Sequence, residues 1–423
     1  MNFRKVYKLV LVSFVLVLQG CVEEVKIETE NFESILVIEA TITNEDKNQI
    51  VKLSRSYMLE EEGPSNEINA NVTVQGQNGE IYQFQEVLDG VYESTQAFAA
   101  MPNYDYVLKI TTSDGRQYQS NTSQFSNTTE IGELYVERGI DSEGEEGVFI
   151  LVDTQDSSLD SRYYRYEYEE TYKIVAPRYA PYDLHIENDD FVYTPDDLAG
   201  LQGQQLIDFF VSRSLRPEQE YICYNTIASN EILLLDASDF VDNNIMAHSV
   251  NFLNRNNSKI MHRYSILVKQ YVQSLEGYLF YEALSSFSNS ESVFSQVQAG
   301  FVQGNISSLT NANEKVLGFF EVVPVDSERM FFNFADLFPD EELPPYFVNC
   351  EGVFTPALYT TDMITGDIVD SPLQFYVSRD YQYYENNHDD NGFVVTAPYN
   401  LVLPECGDCT FLGDNQAPDF WIE

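Results

Sequence analysis

The chain has 423 residues and carries 68 Asp and Glu against 23 Lys and Arg, a formal charge of −45. Acidity this one-sided excludes nucleic-acid binding through clustered cations, and flat docking on anionic lipid through a basic patch. A hydrophobic share of 43%, with 29 Tyr and 28 Phe against one Trp, excludes a disordered chain and suffices for the cores of two or three domains.

Arg4, Lys5 and Lys8 precede an apolar run from Val10 to Leu18 that only Ser13 interrupts, and Leu18-Gln19-Gly20-Cys21 closes it. This is the layout of a secretory signal. The run is shorter than the roughly 20 residues a spanning helix needs. Its end resembles a bacterial lipobox, in which a small residue precedes a cysteine that is diacylated before cleavage. Residues 1–20 therefore read as a signal peptide, with cleavage before Cys21 and Cys21 itself as the lipidation site. Residues 21–34 form an acidic linker. Glu23 and Glu24, directly behind the cysteine, resemble the surface-export signal of Bacteroidota lipoproteins. That resemblance implies an outer-membrane protein facing the cell exterior; the plainer alternative is an acidic linker in an acidic protein.

Short strands separated by turn signals follow. Ile35 to Thr43 is rich in β-branched residues and stops at Asn44-Glu45-Asp46, and Gln49 to Tyr57 forms a second strand. Asn78-Gly79 supplies the positive φ angles of a tight hairpin between Asn71–Val74 and Ile81–Phe84. Asp89-Gly90 and Asp114-Gly115 mark two further hairpins. This spacing predicts an immunoglobulin-like β-sandwich over 35–128. A larger β-rich domain with one or two short helices is expected over 129–423, with a proline-punctuated insertion near 177–217. The overall class is mainly β. Within the larger domain, Arg162 to Ala176 is the most distinctive strand. Tyr164, Tyr166, Tyr168 and Tyr172 recur at period two, with Arg165, Glu167 and Glu169 on the opposite face. Leu198 to Ser212 has helical character. A clearer helix is capped by Ser274 and sets Leu275, Tyr278, Leu279 and Leu284 near one face. Strands resume at Lys315 to Val323 and at Arg329 to Asn333.

Leu36-Val37-Ile38-Glu39-Ala40-Thr41-Ile42-Thr43-Asn44-Glu45, Val51 to Ser56, Gln303-Gly304-Asn305-Ile306, Val316 to Phe320 and the tail from Asp408-Cys409 to Trp421 follow one another along the chain. In order and spacing they resemble the Bacteroidota lipoproteins classed as domain of unknown function 4249. The sequence departs from that pattern at Ala40, where glycine is commoner, and in the proline-rich insertion. The resemblance covers nearly the whole mature chain and implies a surface lipoprotein associated with a TonB-dependent outer-membrane receptor. It supplies no catalytic residues, and only Cys21 transfers with a defined role.

Cys223, Cys350, Cys406 and Cys409 are an even set in an exported chain, so two disulfides are expected, with three connectivities open. Cys406-Gly407-Asp408-Cys409 sits in a Gly- and Pro-containing tail rather than a βαβ unit, which favours a disulfide staple over a redox or zinc motif. Glu385 to Gly392 has the oxygen donors for calcium but not the spacing of an EF-hand loop, and reads as a solvated hairpin tip. The four histidines fall in no nucleophile or zinc pattern, so no enzyme, catalytic residue, metal or cofactor is expected. Tyr164, Tyr166 and Tyr168 are candidates for stacking on a glycan or peptide, although alternating strand aromatics more often serve packing. The expected function is that of a binding or accessory subunit for a TonB-dependent nutrient-uptake receptor. A stand-alone glycan- or peptide-binding lipoprotein is the alternative, and a surface hydrolase the weaker one.

Overall fold

The computed structural model describes residues 34–57, 63–155, 161–189, 192–216, 219–238, 240, 244–288, 302–389, 392–393 and 396–423. Its first strands are β1 (Leu36–Thr43), β2 (Ile50–Arg55), β3 (Ser65–Asn66), β4 (Asn71–Gly76), β5 (Ile81–Leu88), β6 (Val91–Ser94), β7 (Tyr106–Thr111) and β8 (Gln117–Ser120). Alternation of residue type decides which side chains turn inward. Leu36, Ile38, Ala40 and Ile42 of β1 are buried, as are Val72 and Val74 of β4 and Tyr106, Leu108 and Ile110 of β7. The three expected hairpins form, joining β4 to β5, β5 to β6 and β7 to β8. Buried tyrosines keep their polar tips occupied: the Tyr92 hydroxyl donates to the Glu67 carbonyl at 2.8 Å, and that of Tyr118 donates to Glu314 at 2.7 Å.

The second region uses β9 (Ile131–Ile140), β10 (Glu146–Gln155), β11 (Tyr163–Val175), β12 (Tyr182–Ile186), β13 (Val211–Leu215), β14 (Ile222–Ala228), β15 (Leu233–Asp236), β16 (Asn244–Asn254) and β17 (Arg263–Gln273). Strands β16-β10-β9 form one antiparallel sheet. Its Val148, Ile150 and Val152 pack on Tyr164, Tyr166, Ile266 and Val268 of a second sheet built on β11 and β17. The proline-rich insertion becomes the β12–β13 hairpin with a helix at Gln204–Phe210. It shares a third core with the later strands Gln382–Asn386 and Tyr399–Val402, through Leu184, Phe210, Tyr383 and Leu401.

The chain then returns to its beginning. It adds β18 (Ile306–Ser308), β19 (Val316–Val323) and β20 (Val325–Asn333). β19 pairs parallel with β1 along its full length, from Leu36↔Val316 to Thr43↔Val323, and β18 pairs with β8. The first sheet thus has ten strands in the order β18-β8-β7-β4-β5-β6-β2-β1-β19, with β3 against β2. Its two ends meet. The Asn305 side chain exchanges two hydrogen bonds of 2.8 Å with the backbone of Phe320, standing in for a ladder. A Cβ on Gly304 would lie 1.6 Å from the Gly318 carbonyl oxygen, so glycine is required at this seam.

The mainly β class is what the chain adopts. The region expected as an immunoglobulin-like sandwich is one sheet curled nearly closed, and residues 306–323, assigned to the second domain from sequence, supply two of its strands. The physical reason is β19 itself. Its run Val-Leu-Gly-Phe-Phe-Glu-Val-Val is buried almost throughout, as a strand covered on both faces must be. After β19 the chain crosses at Pro324 into β20, which pairs with β17 in the second region's sheet, of order β14-β11-β17-β20 with β15 beside β11. Among the described residues no helix is long and apolar enough to cross a membrane.

Candidate functional site

Strand β11 is covered on both sides. The tyrosine face closes the second region's core, and the helix Leu275–Ser288 lies over the other. The Ser274 hydroxyl caps that helix, accepting the Gly277 amide at 3.1 Å, as the sequence predicts. Its buried face differs from expectation. Gly277 and Phe280 point inward and Tyr281 is half-buried, whereas Leu275 and Leu279 are each 49% exposed. The helix is set this way because Phe280 stacks on Phe319 of β19, with ring centroids 5.3 Å apart, and Tyr281 reaches over β11.

Between helix, β11 and β19 lies a buried ion pair. Arg165 donates to Glu321 at 2.7 Å, and their side chains are 7% and 4% exposed. Glu321 also accepts from Thr41 of β1 at 3.0 Å, from the Gln273 amide at 3.0 Å and from the Tyr281 hydroxyl at 3.3 Å. The guanidinium has the Tyr271 ring at 4.3 Å and the Tyr281 ring at 4.7 Å, and it also reaches Glu167, which accepts the Tyr271 hydroxyl at 2.9 Å. Burial works against the Arg165 cation, but Glu321, Tyr281, Glu167 and Tyr271 together outweigh it and hold the pKa above the ordinary value. Burial pushes the Tyr271 and Tyr281 hydroxyls up as well, so both stay protonated donors. The network ties the first sheet, through Thr41 and Glu321, to the second, through Arg165, Tyr271 and Gln273.

An acceptor-only carboxylate draws the amide nitrogen of Gln273 toward it, which fixes the direction of the Gln273 carbonyl. Among the described residues, that oxygen and Arg165 Nε are buried without a hydrogen-bond partner. Gln273 and Glu321 form one wall of a cavity of about 270 Å³ at the junction of the two regions. Ser123, Asn127, Ser161 and Tyr163 add polar groups to the rest of the lining, beside Arg162 and the apolar Phe125, Val272 and Val323. Hydroxyls, amides and a guanidinium set among apolar side chains suit a small ligand that is part polar and part apolar. They offer no paired acid and base, since Glu321 is already occupied by four donors.

The residues singled out from sequence are placed as follows. Cys21, Glu23 and Glu24 lie outside the described residues. Tyr164 and Tyr166 have no exposed surface. They are core residues and give a ligand nothing to stack on, because the β9-β10-β16 sheet covers their face. Tyr168 is half-buried at the rim of that core, and burial raises its hydroxyl pKa to about 12. The cysteines of the Cys-Gly-Asp-Cys stretch do not bond to each other. Cys409 joins Cys223 of β14, and Cys406 joins Cys350. His185 meets Ser214 at 2.6 Å, and His248 lies against the Tyr166 ring at 5.0 Å; among the described residues no His, Cys, Asp and Glu cluster could hold a metal. The candidate calcium loop falls partly outside the described residues. The sequence separates Arg165 from the tyrosines onto the opposite face of β11 but gives neither it nor Glu321 a role. The available signal was a lone carboxylate inside an otherwise apolar strand.

The family model described as Domain of unknown function (DUF4249) matches residues 22–329, and the chain belongs to that family. No curated protein matches the chain. A crystal structure of a DUF4785 family protein from Legionella pneumophila is similar over 55% of this chain and 50% of that one, at 8% identity and a TM-score of 0.15. The chain thus spans about half the length of that protein.

Proposed function

We propose that this member of the DUF4249 family is a lipid-anchored outer-membrane lipoprotein of the Bacteroidota type. It faces the cell exterior and acts as a binding or accessory subunit of a TonB-dependent nutrient-uptake receptor. The observation that carries this reading is the basic start, short apolar run and Leu18-Gln19-Gly20-Cys21 ending, followed at once by Glu23 and Glu24. The lipid on Cys21 holds the body at the membrane, and the two β regions, bound through Arg165 and Glu321, form the part that meets the receptor or its cargo. Purification from detergent-solubilised outer membranes tests it. A β-barrel receptor should co-purify in stoichiometric amount, and Cys21→Ser should move the protein to the soluble fraction. Recovery of the lipoprotein alone, with unchanged fractionation of the variant, would overturn it.

The junction cavity favours a second reading, a stand-alone lipoprotein that binds a glycan or a short peptide. Titration calorimetry of the mature chain against mono- and disaccharides and dipeptides separates the two. Binding that is weakened by Gln273→Leu supports the second reading, and no heat from any of them removes it.

A further inference from the structure

Residues 414–423 lie across the outer face of the β14-β11-β17-β20 sheet and touch each of its strands. Asp414 exchanges backbone hydrogen bonds with Tyr224 of β14, 2.8 Å in both directions. Past that bridge the segment makes no further ladder with the sheet. A turn closed by the Trp421 amide and the Pro418 carbonyl, at 2.8 Å, sets the next residues down over the strands. Trp421 packs edge-on against Tyr224 of β14 and Phe331 of β20, with centroids at 4.9 and 5.7 Å. Phe420 lies under the Arg329 guanidinium of β20 at 3.5 Å. Arg263 of β17 donates to the Ile422 carbonyl. Glu423 accepts from Lys173 of β11 at 2.9 Å and from the Tyr224 hydroxyl at 3.1 Å.

Three of the chain's 23 Lys and Arg therefore gather on one face of a protein of charge −45, around an aromatic shelf. Two cavities adjoin that face. One of about 530 Å³ is bounded by Tyr224, Asn225 and Pro418, the other, of about 400 Å³, by Lys173, Arg263 and Asn333. The covering residues are shallowly held: Phe420 and Trp421 are half-buried and Ile422 is 61% exposed.

We infer that this face is a binding site for an acidic, aromatic peptide segment of another protein, occupied in cis by residues 419–423. Cations that accept a ring face and a carboxylate, beside the two half-buried rings of Tyr224 and Phe331, recognise that chemistry wherever it comes from. A cover joined by side chains and one carbonyl leaves as a unit, with no strand pairing to break. Its occupancy reduces the face's apparent affinity by the fraction of molecules that are open. Neither the lipid anchor nor a receptor enters this inference.

The probe is a fluorescein-labelled Asp-Phe-Trp-Ile-Glu peptide, followed by anisotropy at low salt. A chain lacking residues 419–423 should bind it at least about tenfold more tightly than the intact chain. In that shortened chain Arg329→Ala and Lys173→Ala should each weaken binding about two- to fivefold. Equal affinities for the intact and shortened chains, or no binding by a shortened chain whose circular dichroism matches the intact protein, would overturn the inference. The intact chain gives an independent measurement, because Trp421 is its one tryptophan. Unlabelled Asp-Phe-Phe-Ile-Glu should shift Trp421 emission to the red with saturation, and emission unchanged at every peptide concentration would refute displacement even if the shortened chain failed to fold.

Discussion

Truncating Glu321 tests whether the junction is held by its ion pair or merely decorated by it. Glu321→Ala removes the acceptor of four hydrogen bonds and leaves the Arg165 guanidinium, 7% exposed, with Glu167 as its remaining carboxylate. Breaking a buried pair from one side costs about 3–5 kcal/mol, because the surviving charge keeps its desolvation penalty. For a body of roughly 400 residues that is a melting-point drop of about 5 °C. Glu321→Gln should cost less, roughly 2 kcal/mol, the margin of a charge-assisted over a neutral hydrogen bond. Its new amide can donate to the Gln273 carbonyl once that side chain rotates, and Gln273 has an unpartnered oxygen to offer. Replacing both partners, Arg165→Met with Glu321→Leu, should recover most of the loss, since apolar substitutes of similar volume carry no desolvation penalty. Urea unfolding followed by far-ultraviolet circular dichroism gives all three values. A Glu321→Ala cost below about 1 kcal/mol, or a double variant no more stable than the single, would refute the account.

The seam of the first sheet gives a second test. Gly304→Ala should cost about 1–3 kcal/mol or more through overpacking against Gly318, whereas Gly115→Ala, whose Cβ would meet nothing within 4 Å, should carry only the strain of its positive φ; thermal melts compare them. Non-reducing peptide mapping should recover the pairs 223–409 and 350–406. With sequence separations of 186 and 56, the chain-entropy relation assigns the first about 5 and the second about 4 kcal/mol, so Cys223→Ser/Cys409→Ser should be the costlier removal in denaturant. Burial lowers the pKa of His248 and His262 below the ordinary 6.5. The unfolded chain then binds more protons just below that value, so stability should fall as pH drops from about 6.5 through the folded pKa, and His248→Phe should flatten the slope. A slope identical in that variant would assign the effect elsewhere.

What could be read from the sequence was local. Asn78-Gly79, Asp89-Gly90 and Asp114-Gly115 each specify a turn through residues that tolerate positive φ, and each hairpin forms where expected. Ser274 marks its helix for the same kind of reason. Period two in β11 separated the tyrosines from Arg165, Glu167 and Glu169, but alternation reports only that two faces differ. It does not report that both are covered. Tyr164 and Tyr166 alternate as ligand-stacking aromatics would, and it is the β9-β10-β16 sheet lying on them that makes them core. The burial of Arg165 is not legible locally because its cover, the helix Leu275–Ser288 and β19, arrives more than a hundred residues later in the chain. The cysteine connectivity stayed open for the same cause, since Cys409 finds its partner only where β14 places Cys223.

Non-locality also explains why the site sits where it does. β19 pairs with β1 across 280 residues, and the next strand joins the other region's sheet, so the chain must change sheets at Pro324. A crossing between two closed cores leaves polar backbone and side chains that neither core can bury unpaired. The Ser123 hydroxyl takes the Val322 amide at 2.9 Å, and Asn44 takes that of Val325 at 2.8 Å. Glu321, the one carboxylate in β19, is placed to take Arg165 from the facing strand. The cavity beside it lies at that crossing, lined by Val322, Val323 and Pro324 from one side and by Ser161 and Gln273 from the other. A ligand there would touch both regions at once and would bind most tightly to the arrangement that the Arg165–Glu321 pair maintains. Loosening that pair should therefore weaken any cavity ligand even where the substituted residue makes no contact with it.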